Sequence, residues 1–361
     1  MRPPAHAREP NGFQVQMSET VKNQYEESMP GAFSFRRAVL HWLLFLLICF
    51  GLGYPILNRY DPSKIPGTVD AAGYFDAVQS PLALTPRLLV PALAKPFYWL
   101  SRGRIGTWDP VRFGMLVASS IFTAATATMI LLLGFRSGFS DSTSLIAALL
   151  FLVNFSVSNW MLSGYVDSGE AFFLALLAWS LLSEKWYLLP VWAIFGSLAK
   201  DTFAPLAFVF ALTWWLADRP LRLKRALWLV LFAVLSGATV LVLLSSGGGL
   251  FSSGLAYMKD MKDAHTGIFR ALLGCLMSRE VWFVFAWLLP LGVIRINRLD
   301  RRWGRAAFGS FILAALMAAY DNAHGNAARP MFNIAGPLLS LAAADFLTKR
   351  KPPAQSEYSS H

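Results

Sequence analysis

Between residues 38 and 348 the chain returns about ten times to a run of apolar residues. These runs lie at roughly 38–56, 113–134, 144–163, 168–183, 187–199, 202–217, 226–245, 281–294, 306–320 and 331–348. Crossing the hydrocarbon layer of a bilayer takes about 20 mostly apolar residues, and several of the runs come close to that length. None shows the two-residue alternation of a half-buried strand, and a helix satisfies its own backbone hydrogen bonds in lipid. The expected fold is therefore all-α: a polytopic membrane protein of about ten transmembrane helices.

Composition agrees with that reading. The chain is 55% hydrophobic and 15% charged, with 28 Phe and 13 Trp, which excludes an ordinary soluble globular domain. A net charge of +11 would suit nucleic acid if it formed a basic face on a soluble domain. Here much of it falls in short clusters between apolar runs, where Lys and Arg set the orientation of a membrane protein and bind no nucleic acid. The densest are "RPLRLKR" (219–225), "RINRLDRRWGR" (295–305) and "KRK" (349–351), with Arg36 and Arg37 ahead of the first run. Ten spans put all four on one side, the cytoplasm, and place the protein in the inner or plasma membrane with both termini inside. Reading 187–217 as one span interrupted by Lys200 and Asp201 would export "RPLRLKR", so a hairpin is expected there.

The expected organisation is a polar cytoplasmic segment (1–37), one transmembrane domain (38–348) and a disordered cytoplasmic tail (349–361). The first 35 or so residues are polar and of mixed charge, so the first span is expected to stay as an anchor. Two outer loops are long, 57–112 and 246–280. In the first, "LLVPALAKPFYWL" (88–100) is apolar, aromatic and interrupted by Pro, and reads as an interfacial helix with Tyr98 and Trp99 at headgroup level. Cys49 falls inside the first run and Cys275 in the second long loop, at depths that do not suggest a disulfide.

With that topology the polar residues sort by face. Asp70, Tyr74 and Asp76 in "GTVDAAGYFD" lie outside, as do Asp167 in "SGYVDSGE", Lys200 and Asp201 in "SLAKDTFAP", and His265. Asp321, His324 and Arg329 in "AYDNAHGNAARP" lie there too. A charge at membrane depth costs roughly 2.5–3.5 kcal/mol on insertion scales and persists when it is paired or lines a cavity. Lys200 follows a span of only about 13 apolar residues, so it suits a cation that meets a phosphate at lipid-accessible depth. The plain alternatives are that Lys200 and Asp201 neutralise each other or that Lys200 snorkels to the surface. Arg329, just before Pro330, is either a bidentate phosphate grip or an interfacial anchor. If 69–78 is helical, Asp70 and Tyr74 share a face, while Asp76 points about 240° around the axis. Asp70 is then the candidate acid or base, against the simpler role of an acid favoured at a helix N-terminus. A metal role for Asp321 and His324 is the weaker reading of two loop residues.

The layout resembles the GT-C class of membrane glycosyltransferases. The resemblance is carried by an acidic residue in the first outer loop ("VDAAGYFDA"), the interfacial stretch "TPRLLVPALAKPFYWL", the mid-chain "AKDT", and an Arg at the outer start of a late span ("NAARP"). It covers about 36–348. It implies sugar transfer from a polyprenyl-phosphate donor to a glycan, lipid or protein acceptor on the extracytoplasmic face. Asp70 would be the general base, Lys200 and Arg329 would contact the donor phosphate, and Tyr74, Arg87, Asp167 and Asp201 would complete the substrate site. Val69 stands where many members carry a second acid, which leaves a divalent metal open, and the large C-terminal soluble domain of many members is missing. Two rivals stand beside this reading: a transporter or flippase of lipid-linked saccharides, and a non-catalytic membrane assembly protein.

Overall fold

The computed structural model describes residues 35–59, 69–80, 87–106, 108–218, 222–246, 268–320 and 327–348. Among them all regular structure is helical. The chain divides into Met1–Leu40 and His41–His361. Of the first unit only Phe35–Leu40, the opening turns of a helix, is described.

The helices are α1 (Phe35–Arg59), α2 (Val69–Gln79), α3 (Leu89–Ser101), α4 (Pro110–Arg136), α5 (Asp141–Leu152), α6 (Asp167–Leu182) and α7 (Leu189–Ala199). After them come α8 (Phe203–Ala217), α9 (Leu223–Ser246), α10 (Ile268–Leu276), α11 (Arg279–Phe285), α12 (Leu288–Arg295), α13 (Arg301–Tyr320) and α14 (Ala328–Thr348). Each expected apolar run lies on one or two of these helices, except that 144–163 runs on past the end of α5. Four of them, α1, α4, α9 and α14, are long and apolar enough to cross a membrane, or five spans if α11 and α12 count as one bent span. α5, α8 and the stretch Trp186–Ala199 are apolar but shorter.

Two runs expected to be continuous are broken, one beside a buried tertiary contact and one beside a proline. The run 144–163 is helical only to Leu152, with a wide helical turn at Val157–Met161. Between them the Asn154 side chain accepts from the Ser156 amide at 3.0 Å and donates to the Val284 carbonyl at 3.0 Å. A buried amide side chain thus takes up backbone groups where the ladder stops. The run 281–294 bends by 49° between α11 and α12. Pro290 lacks the amide that would continue the helix from Ala286, and its ring crowds that carbonyl. Two smaller corrections follow. Cys275, expected in a loop, is buried in α10, and neither it nor Cys49 is in a disulfide. In α3 Trp99 is exposed, whereas Tyr98, expected beside it at headgroup level, turns inward with Val90 and Ala94.

Burial separates centre from periphery. The apolar windows of α4 and α14 are each 83% buried within the protein, whereas those of α1 and α9 are 17% and 22% buried. Along α9, Leu227, Val230, Val234, Leu241 and Val242 stand exposed. A soluble protein rarely leaves so long an apolar face uncovered, and in a bilayer lipid covers it.

Ion pairs tie helix ends together at one end of the bundle. Glu184, just after α6, and Asp218, just after α8, both pair with Arg302 at 3.2 Å and with Arg225 at the start of α9. Arg302 also holds Asp300 at 2.7 Å. The basic stretches around 222–225 and 295–305 therefore share one end. Because α7 begins there and α8 finishes there, residues 187–217 form a hairpin. Lys200, with extended backbone at φ −160° and ψ 136°, makes its turn.

Close helix approach depends on glycine at Gly114, where α4 passes α3. A Cβ there would lie 2.8 Å from the Ala94 carbonyl oxygen and 3.1 Å from the Tyr98 amide nitrogen, both backbone atoms with little room to move. Gly114→Val is expected to lower the unfolding midpoint of the detergent-solubilised protein, a loss of about 1–3 kcal/mol. An unchanged midpoint would show that α3 is not packed this closely.

Candidate functional site: a buried ion cluster

At the opposite end of the bundle, the start of α6 carries two acids three residues apart, Asp167 and Glu170, on one side of its first turn. The helix N-terminus favours negative charge, but both acids are buried, Asp167 at 1% and Glu170 at 0% exposure. They can be there because other chain segments come close. Between them, a Cβ on Gly169 would lie 3.0 Å from Val90 of α3 and 3.1 Å from the Ala199 side chain at the end of α7. Glycine thus lets the α7–α8 turn settle against the start of α6.

That turn delivers Lys200. Its ammonium donates to Asp167 Oδ1 at 2.7 Å and to Glu170 Oε2 at 3.0 Å. The hydroxyl of Thr202 donates to Glu170 Oε1 at 2.6 Å, and the Asn333 amide, from α14, donates to Glu170 Oε2 at 2.8 Å. Arg329, one turn earlier on α14, lies 3.5 Å from Asp167 Oδ2, with its guanidinium 4.3 Å from the Tyr165 ring centroid. Beside this core, Arg87 pairs with Asp201 at 2.9 Å and donates to the Tyr74 hydroxyl.

Three cations and three carboxylates thus meet at one end, and their formal charges cancel. Asp167, Glu170, Lys200 and Arg329 form the buried core, with Lys200 at 6% and Arg329 at 9% exposure. Taking one such ion out of water costs several kcal/mol, and only close pairing with satisfied hydrogen bonds offsets that cost. Arg87 and Asp201 are more open, with side-chain exposures of 22% and 36%. Burial raises the Asp201 pKa, but the Arg87 charge and hydrogen bond outweigh it, so the carboxyl titrates below the usual carboxylate range.

Tyr74, Arg87, Asp167, Lys200, Asp201 and Arg329, the six residues expected around a substrate, therefore fall in one cluster. The pairing differs from one expected alternative: Lys200 and Asp201, neighbours in sequence, turn to different partners, Asp167 with Glu170 and Arg87. α2 is helical, so Asp70 lies one turn before Tyr74 on its backbone; the Asp70 side chain lies outside the described residues. His265, Asp321 and His324 lie outside them as well. Among the described residues no group of three or more His, Cys, Asp or Glu is arranged to hold a metal ion.

Glu170, Thr202, Asn333 and Tyr165 join the site without having been singled out from the sequence. Glu170 and Asn333 left a usable signal, since a carboxylate and an amide inside apolar runs need buried partners. Comparison with family models, with curated proteins and with solved structures returns no match.

Glu170 accepts from three donors on three chain segments, so Glu170→Ala leaves Lys200 with one carboxylate and strands Thr202 and Asn333. A loss of about 3–5 kcal/mol is expected in the unfolding of the detergent-solubilised protein, with Glu170→Gln, which keeps the shape, losing less. An Ala variant as stable as wild type would show that the carboxylate is not holding these segments. The acid limb of stability tests Asp201. Its lowered pKa adds stability above about pH 4, the unfolded carboxylate value, and that stability is lost as pH falls through the lower folded value. Arg87→Ala removes the cause, so its deficit against wild type is expected to shrink as pH drops below about 4. A deficit that is constant with pH would assign it to packing.

Proposed function

We propose that the protein is a membrane glycosyltransferase that moves a sugar from a polyprenyl-phosphate donor to an acceptor on the extracytoplasmic face. The observation that carries this reading is the convergence of Lys200, Arg329 and Arg87 with their carboxylates at helix ends on one side of an apolar bundle. A lipid-linked donor delivers its phosphate at that depth, which is where cations for it are required.

In this proposal ten stretches traverse the bilayer. They are α1, α4, α5 with the turn at 157–161, α6, α7, α8, α9, α11 with α12, α13 and α14. The end held by Arg225 and Arg302 faces the cytoplasm, and the ion cluster faces out. Asp70, as general base, takes the proton of the acceptor hydroxyl. The freed oxygen forms a bond to the sugar's anomeric carbon as the bond from that carbon to the donor phosphate oxygen breaks. Lys200 and Arg329 stabilise the departing phosphate, while Tyr74, Arg87, Asp167 and Asp201 line the approach. Base catalysis is typically worth about 10²–10⁴ in rate, and fixed cations aimed at the developing charge add to it.

A saccharide transporter or flippase would place its ionisable groups near the bilayer midplane on interrupted helices. The cluster's charges instead gather at one end of the bundle, and the sequence carries no evident internal repeat, which favours the transferase. An assembly protein without catalysis requires Asp70→Asn to be silent in every assay.

The test is sugar transfer from polyprenyl-phosphate-linked sugars by the purified protein, comparing wild type, Asp70→Asn and Lys200→Gln. Asp70→Asn is expected to lower kcat about 10²–10⁴-fold with the donor still bound, and Lys200→Gln to weaken donor binding. Transfer unchanged in Asp70→Asn removes that residue from the chemistry. Wild type that neither transfers nor binds any such lipid overturns the reading.

A further inference from the structure

We propose that Asp167 is the protein's own stand-in for the donor phosphate. Its carboxylate bridges Lys200 and Arg329, and an incoming phosphate must displace it to reach them. The inference rests on reading the cluster as a phosphate site and adds how that site is kept closed while empty.

The geometry is that of an internal anion. One Asp167 oxygen takes Lys200 at 2.7 Å and the other faces Arg329 at 3.5 Å, so one carboxylate spans both cations as a phosphate would. Charge then forces an exchange. Lys200, Arg329, Asp167 and Glu170 sum to zero in a buried site, and a phosphate added to them would leave at least one uncompensated negative charge there. One carboxylate has to give way. Glu170 is held by Lys200, Thr202 and Asn333 on three chain segments, at 2.6–3.0 Å. Asp167 has one short contact and one long one, so Asp167 yields.

Both cations keep their places when it does. Lys200 remains on Glu170, and Arg329 remains over the Tyr165 ring at 4.3 Å, an attraction to the ring face that does not need the carboxylate. The displaced carboxylate also sets a threshold. An anion that reaches only one of the cations gains little by replacing it, whereas a phosphate, including the singly charged diester of a sugar donor, offers two unesterified oxygens, one for each cation.

The experiment measures binding of farnesyl phosphate and of inorganic phosphate to the full-length detergent-solubilised protein, together with the unfolding midpoint at rising ligand concentration. Asp167→Asn removes the competitor, so it is expected to bind farnesyl phosphate at least tenfold tighter than wild type, and Arg329→Gln to bind it more weakly. The unfolding midpoint of Asp167→Asn, lowered by an unbalanced buried cation, is expected to recover as the phosphate is added. A gain for both probes assigns the site to the phosphate group itself; a gain for farnesyl phosphate alone assigns it to lipid-borne phosphate.

Wild type that binds while Asp167→Asn binds no tighter overturns the competition and leaves the phosphate site standing. Absence of binding by both proteins overturns the phosphate site and the competition together. If Asp167→Asn does not accumulate folded, Asp167→Ser tests the same loss of charge. Failure of both to fold even with phosphate present also overturns the proposal, because the anion would then not replace the missing carboxylate.

Discussion

The contact on which the rest of this structure depends is the seat of Lys200 between Asp167 and Glu170. An ammonium in an apolar bundle has no stable place alone, and neither carboxylate does at the buried start of α6. Each makes the others tolerable, and only at the observed distances. That requirement explains otherwise arbitrary local features: glycine at 169, where a Cβ would lie within 3.1 Å of both α3 and α7; extended backbone at Lys200, which ends α7 and aims the side chain; and an amide at Asn333, one turn after Arg329 on α14. The α7–α8 hairpin, α6 and α14 are held at one end by charge, and along their length by packing.

The two ends of the bundle use charge differently. Arg225 and Arg302 reach across the turns after α6 and α8 to Glu184 and Asp218, whose side chains are 43% and 18% exposed. The pairs through the more open Glu184 are screened and individually worth little, and the group as a whole keeps the loops in register. The cluster around Glu170 is shielded from solvent, where an unsatisfied charge is expensive and a satisfied network fixes one arrangement. The side chains of Asp167 and Glu170 are 2% and 0% exposed against 43% and 18% for Glu184 and Asp218, and the proposed phosphate site rests on that difference.

Much of the fold was legible because the bilayer requirement is coarse and repetitive. An apolar run announces a helix whatever its partners, and basic clusters announce which ends belong together; Arg225 and Arg302 do share their acids. Where the structure departs from the pattern, Pro290 bends one run by a local rule and specific tertiary contacts decide the other cases. Asn154 breaks a run by bonding to Val284, far along the chain, and no local pattern foretells that. Tyr98 turns inward because Gly114 lets α4 come close. The six residues drawn from the sequence into the site were found by being charged or aromatic near span ends. Their pairing was not legible, since adjacency in sequence suggested Lys200 with Asp201 and the turn geometry sends them apart.

Glu170 shows why a site in an apolar bundle is hard to read residue by residue. In "DSGE" it looks like a second helix-start acid, and its interest appears only once three donors from other segments are seen to converge on it. Its role also constrains chemistry. A carboxylate with three donors is committed to holding Lys200, Thr202 and Asn333, so it is poorly placed to act as a base, and the proton-accepting role in a transferase must fall elsewhere. Asp167, less firmly held, is the group whose movement changes the charge the site presents. Within one helical turn, the anchored acid sets where Lys200 stands and the looser one sets when it is available.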